Sequence, residues 1–158
     1  MLIYPVFLPN WGCSNHCVYC DQAKISATES FDRTILLTNL KSFLGRNQGR
    51  EKQIAFFGGS FTGIDEKWRS ELFQDIFAYC DEQTSFRIST SPDLISAHHL
   101  KWCKEYRIKT IELGVQDFDG AVLAASGRNY DSELAFSASA MVQEGGFELG
   151  IQLMPGLL

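Results

Sequence analysis

The sequence is poor in several features at once. Only four prolines stand against thirteen glycines, and no repeat, low-complexity tract or composition break divides the 158 residues. No long hydrophobic run is present. Met1 to Pro9 is apolar but carries no basic flank and runs straight into Asn10 and Trp11. It is too short for a signal-peptide core and for a membrane span, which takes about 20 apolar residues. The expectation is a cytoplasmic chain with no membrane partner and with thiols kept reduced. Positive charge is also short. Fourteen Lys and Arg against nineteen Asp and Glu leave a net charge of −5. That argues against binding nucleic acid through bulk charge, although a local basic patch would survive it. The loose run Lys41, Arg46, Arg50 and Lys52 reads as solvent-facing rather than as such a patch. A second CxxC is missing, and the cysteine count of five is odd, so a disulfide scaffold is not expected.

What is present has the balance of one globular domain, 45% apolar and 21% charged. A chain of about 150 residues buries roughly 70% of its surface on folding, enough for a core without cross-links. Apolar runs at Ile3 to Leu8, Ile54 to Phe57, Phe86 to Thr90, Thr110 to Val115 and Phe147 to Met154 read as buried strands. Between them lie helical spacings. Leu36, Leu37, Leu40, Phe43 and Leu44 are closed by Gly45. Trp68, Leu72, Phe73, Ile76, Phe77 and Cys80 follow a cap at Asp65. Leu100 and Cys103 lie on a helix from about Ser96, a short helix covers Ala121 to Ala125, and Leu134, Ala138, Met141 and Val142 precede Gly145-Gly146. Strand and helix alternate five times, which calls for parallel strands joined by right-handed crossovers.

The unusual residues gather after the strands. Strand one leads to Cys13, Cys17 and Cys20, strand two to Gly58-Gly59-Ser60, and strand three to Ser89-Thr90-Ser91. Strand four leads to Gly114-Val115-Gln116-Asp117, and strand five to Gln152 and Pro155-Gly156. Parallel βα architectures place their sites at this carboxyl edge, so five such clusters predict one large site there.

The cysteines carry the chemistry. Cys13-Ser-Asn-His-Cys17-Val-Tyr-Cys20 supplies three thiols at CxxxCxxC spacing, whereas a structural zinc site wants four protein ligands. His16 is the nearest fourth donor, but it adjoins Cys17, and neighbouring residues seldom reach one tetrahedral ion. Cys80 and Cys103 read as small core residues. A cubane iron–sulfur cluster takes one ligand per iron, so three cysteines leave one iron open to a non-protein ligand.

Residues 5 to 20, Pro-Val-Phe-Leu-Pro-Asn-Trp-Gly-Cys-Ser-Asn-His-Cys-Val-Tyr-Cys, resemble the opening of the radical S-adenosylmethionine (SAM) superfamily. Phe-Gly-Gly-Ser-Phe at 57 to 61, Ile-Ser-Thr-Ser-Pro-Asp at 88 to 93, Glu-Leu-Gly-Val-Gln-Asp-Phe at 112 to 118, Ser-Gly-Arg at 126 to 128 and Gly-Ile-Gln-Leu-Met-Pro-Gly at 150 to 156 resemble one branch of it. That branch holds the catalytic subunit of Elongator, its bacterial relatives and oxygen-independent coproporphyrinogen oxidase. The resemblance implies an α/β fold, a partial (β/α) barrel with about five parallel strands, with residues 1–158 as the core domain. It also implies a 4Fe-4S cluster on Cys13, Cys17 and Cys20, with SAM near Tyr19, Gly58, Gly59, Ser60, Ser89, Gln116, Arg128 and Gln152. Glycine at 58 and 59 would let the strand edge approach the methionine end of SAM, and the Ser60 hydroxyl would accept from its amino group. Gln152 stands where the coproporphyrinogen oxidases have Asp, so a ribose contact there is altered. Ser91 lacks the Arg charge usual in the Elongator branch.

By the same resemblance a low-potential donor of flavodoxin or ferredoxin type is a partner, and tRNA wobble uridine or a small molecule is the substrate. A zinc- or cluster-binding module without catalysis is the reading from another class. A complete βα barrel takes about 250 residues. The expectation is therefore a core incomplete at its C-terminus, with apolar Leu157 and Leu158 beside an uncovered strand edge.

Overall fold

The computed structural model describes residues 1–21, 24 and 31–157; Leu158 lies outside them. Its strands are β1 (Leu2–Phe7), β2 (Lys52–Phe57), β3 (Thr84–Thr90), β4 (Ile108–Gln116) and β5 (Glu148–Leu153). The helices between them are α1 (Arg33–Arg46), α2 (Glu66–Phe77), α3 (Ala97–Glu105), α4 (Gly120–Ala125) and α5 (Ser132–Glu144). Each helix starts on a residue whose side chain accepts from first-turn amides: Asp32, Asp65, Ser96, Asp119 and Asp131 in turn. Such caps satisfy donors that no intrahelical carbonyl reaches.

All five strands are parallel and pair in chain order, β1-β2-β3-β4-β5. Right-handed crossovers between successive neighbours put every helix on the same face of the sheet. Side-chain parity records this. Ile54, Phe56, Phe86, Ile88, Ile111, Leu113 and Val115 point toward the helices and are fully buried. Phe73 and Phe86 lie 4.8 Å apart in that core, and Trp102 stacks on Tyr106 at 4.4 Å. The opposite parity carries Ile3, Phe7 and Phe57, each 40% exposed or more. The sheet is thus an open partial barrel with a packed outside and an accessible inside, as the alternation predicts.

Three expectations need correction. Gly45 does not end α1, which continues to Arg46. Asn47 stops it instead, its backbone N–H bonding to Leu44 O and its side-chain amide to Phe43 O at 2.8 Å. Leu134 is 38% exposed because it lies beside the buried face, which Ala135, Ala138 and Val142 form. Lys52 is not solvent-facing but fully buried. Its ammonium donates to both Asp81 carboxylate oxygens at 2.7 and 2.8 Å and to the carbonyls of Asn47 and Arg50. A buried ammonium is tolerated only when its donors are matched, and here the loop ends supply the acceptors.

The Lys52 hydrogen bond, then the Gly49 N–H and the Thr84 hydroxyl, hold Asp81 well below the usual carboxylate range. A depressed folded-state value means the contribution is complete above the ordinary carboxylate pKa of about 3.9 and fades as the pH falls below it. The stability difference between wild type and Asp81→Asn should therefore be flat from about pH 5 to 8. It should narrow below about pH 4, as read by urea denaturation across that range.

Candidate cofactor site

The carboxyl ends of the strands enclose a cleft of ≈ 260 Å³. Cys13, Cys17, Cys20, Tyr19, Gly58, Gly59, Ser60, Ser89, Gln116, Arg128 and Gln152 all line it, together with Asn10, Asn15, Phe57, Thr90, Ser91 and Gly114. Every residue that the resemblance singled out for the cluster or for SAM is therefore brought to one place, although 139 positions separate Cys13 from Gln152.

The cysteine loop is seated on the β2 turn chiefly by backbone. Leu8 N donates to Phe57 O, Asn10 N to Gly58 O and Ser60 N to Trp11 O, each at 2.8 Å. A Cβ on Gly59 would meet Trp11 O at 2.3 Å, Trp11 N at 2.7 Å and Leu8 O at 2.8 Å. Gly58 has φ +96°, a conformation that side chains rarely adopt. The glycine pair thus lets one loop lie against another. This is a structural demand distinct from the ligand approach that the resemblance implies.

Within the loop, Cys13 N bonds to Asn10 O and Cys20 N to Cys17 O, which turns the chain so that all three thiols reach the cleft. Ser60 Oγ lies 3.6 Å from Cys13 Sγ, and Cys20 Sγ lies 3.6 Å from Asn10 Oδ1. Burial, then the charges of Cys17 and Cys13, push the Cys20 thiol up. The thiols therefore sense one another. Among the described residues, no group of three or more His, Cys, Asp or Glu side chains is set to hold a metal ion. His16 is exposed and does not line the cleft. The three thiols have no fourth protein donor beside them among the described residues. They suit a multi-iron cluster, where each sulfur meets its own iron, better than one structural zinc, which takes four protein ligands.

The far side of the loop is held by residues beyond α4. Val18 N donates to Ser126 O at 3.1 Å, and Asn129 Nδ2 to Asn15 Oδ1 at 2.7 Å. Buried Asn15 also donates to Asp93 Oδ2 at 3.4 Å. Arg128 gives Nε and Nη2 to the Tyr19 hydroxyl at 2.9 and 2.6 Å and Nη1 to Ser91 Oγ at 3.3 Å. Burial pushes the Tyr19 phenol up to about 12 despite that guanidinium, so it is neutral at ordinary pH. Gln116 adopts φ +72°, in the left-handed region unusual for a side chain, at the end of β4 where its carbonyl accepts from Met154 N.

Cys103 is fully buried away from the cleft, its thiol pushed up to about 12 by burial. Cys80, half-buried just past α2, gives its thiol to Ile76 O at 3.4 Å, and burial raises it to about 11. Neither lines the cleft. Sequence reasoning missed Asn10, Asn15 and Asn129, whose loop positions carry no periodic signal. It also gave no role to Arg87 and Glu112, although their two-residue spacing from Ser89 and Gly114 places them on the same inner face.

An open parallel sheet with a thiol-lined cleft at the carboxyl ends of its strands defines an α/β domain with one candidate ligand site. A model of the radical SAM superfamily matches residues 9–158, and the chain belongs to that superfamily. It is similar to the heme chaperone HemW of Bacillus subtilis (strain 168), 26% identical over 153 residues that take in 92% of this chain and 40% of that protein. Solved structures of the same fold include the archaeal Methanocaldococcus infernus Elp3, with TM-score 0.71 and 15% identity over 98% of this chain and 38% of that one. Coproporphyrinogen III oxidase (HemN) from Escherichia coli gives TM-score 0.67 and 21% identity over 96% and 36%. The chain spans about 40% of the length of the curated relative it matches.

Two outcomes follow for the loop. Gly59→Ala should destabilise the chain by about 1–3 kcal/mol in urea denaturation, because backbone rather than a flexible side chain must give way. Asn129→Ala should speed amide hydrogen exchange within residues 13–20 while leaving β2 to β4 protected, as read by mass spectrometry.

Proposed function

We propose that residues 1–158 are the core domain of a radical SAM enzyme, holding a 4Fe-4S cluster on Cys13, Cys17 and Cys20 and SAM across the strand ends. The observation that carries this reading is the convergence of the three thiols and all eight residues singled out for SAM on one cleft. The bound pair supplies reductive cleavage of the SAM C5′–S bond to methionine and a 5′-deoxyadenosyl radical, the electron coming from a low-potential donor of flavodoxin or ferredoxin type. Every other task falls to the chain. Three thiolates leave one iron for a ligand that is not protein. Arg128 offers a fixed positive charge at the cleft, held by Tyr19 and Ser91, where an anionic group of SAM is attracted. A Cβ on Gly58 would meet the Phe7 ring at 2.3 Å, so this glycine makes room for that ring at the strand end. Ser89, Gln116 and Gln152 add polar contacts from β3, β4 and β5. Ser60 Oγ stands beside Cys13 Sγ, so its hydroxyl serves the cysteine wall before any amino group.

All five cysteines are free, which suits a reducing compartment and supports a cytoplasmic location. No helix among the described residues is long and apolar enough to cross a membrane.

Anaerobic reconstitution with iron and sulfide, then dithionite and SAM, tests the reading. The expected result is four irons per chain with absorbance near 400 nm and formation of 5′-deoxyadenosine, both lost in Cys17→Ala. An intact, reducible cluster that never cleaves SAM would leave only a binding module. One bound zinc without that absorbance would leave a zinc module. Stimulation of cleavage by added tRNA, compared with its absence, separates the tRNA and small-molecule substrate classes.

A further inference from the structure

The accessible inner face of the sheet carries a chain of polar side chains across β2 to β5, and the donor and acceptor roles along it are fixed. Glu148 accepts from the Thr110 hydroxyl at 2.7 Å, so Thr110 Oγ1 is left to accept from Gln53 Nε2 at 3.1 Å. That turns Gln53 Oε1 toward Arg87 Nε at 2.9 Å. Arg87 Nη1 then donates to Glu112 Oε1 at 2.7 Å. The other Glu112 oxygen receives the Ser89 hydroxyl at 3.2 Å and Gln152 Nε2 at 2.9 Å. A carboxylate only accepts, so it is the NH₂ end of the Gln152 amide that must face it. The same nitrogen lies 3.4 Å from Ser89 Oγ, whose proton is already given to Glu112. Both amide protons of Gln152 are thereby engaged away from the ligand space.

Ser89 and Gln152 line the cleft, whereas Glu112 is not among the lining residues. The network therefore leaves the cleft only the Gln152 carbonyl oxygen and a Ser89 lone pair. We infer that Glu112 is a positioning residue that locks the Gln152 amide so that the edge formed by Ser89 and Gln152 is acceptor-only, selective for hydrogen-bond donors on the ligand. This rests on the proposed SAM reading. SAM bears three such donor groups, its ribose hydroxyls, its ammonium and the amino group of its adenine, and the edge serves one of them. The carboxylate at 112 thus gives a neutral glutamine the ligand preference of a carboxylate oxygen without placing a second negative charge in the cleft. With an amide at 112 in place of the carboxylate, either end of Gln152 can be accommodated, and the edge loses its fixed polarity.

The test is equilibrium binding to the anaerobic, cluster-loaded chain, using SAM, its 2′,3′-dideoxy analogue, its deaminated analogue and its N6,N6-dimethyladenine analogue as probes. Wild type should bind one analogue roughly tenfold more weakly than SAM, about the worth of one hydrogen bond to a fixed partner. Which analogue suffers identifies the donor. In Glu112→Gln that ratio should fall to about two or less, with cluster content and melting behaviour retained. Gln152 is exposed on the edge strand, so Gln152→Leu should fold and should lose the same discrimination. This second variant keeps the test decisive if Glu112→Gln is unstable. Unchanged discrimination in both variants overturns the role of Glu112, as does equal binding of all four probes by wild type. If the loaded wild-type chain binds no SAM, it is the proposed function that fails, and this inference fails with it.

Discussion

The cleft depends on one close approach. The segment Leu8 to Trp11 lies directly on the backbone of Gly58 to Ser60, near enough that a single methyl at Gly59 would overlap three backbone atoms. Backbone-to-backbone seating of this kind is stiffer than side-chain contact, because no rotamer can absorb an error. It fixes where Cys13 begins and so where the next two thiols fall. The rest of the site is arranged around that fixed loop: Asn129 and Ser126 hold its far side, and Arg128 brings its charge to the aromatic residue inside it.

Much of the fold was legible from the residues. The five apolar runs became five parallel strands, and the alternation with helices fixed the layering. The boundaries were less legible, for identifiable reasons. Asn47 stops α1 through its own side chain, a task the sequence suggests equally well for Gly45. Leu134 follows helical spacing yet lies just off the face that Ala135, Ala138 and Val142 bury, an offset of one residue that spacing does not resolve. Lys52 resembles any lysine in a polar run until Asp81, 29 positions away, is folded against it.

The site divides in the same way. Cys13, Cys17, Cys20 and the glycine pair stand out because few chemistries require those residue types at that spacing. Gln116, Arg128 and Gln152 come to one cleft only through the order of the strands, so their placement depended on reading the alternation correctly. Glu112 and Arg87 were hidden for a different reason. An ion pair between β3 and β4 needs the register Ser89↔Glu112 and Arg87↔Thr110, and a shift near Phe86 and Arg87 makes that register unreadable from spacing alone. Asn15 and Asn129, 114 residues apart, have no local pattern at all.

The pairing order of the sheet has a kinetic side. Each strand joins only its predecessor and its successor, so the sheet is assembled from contacts of moderate sequence separation. The ties that shut the cleft are of another kind, linking Tyr19 to Arg128 across 109 residues and Asn15 to Asn129 across 114. Loop-closure entropy is lowest for near neighbours and rises with span, so the thiol-bearing loop finds its far-side partners only after the intervening strands are in place. The cleft thus draws its shape from long-span contacts, and that shape depends on the whole succession of strands between them.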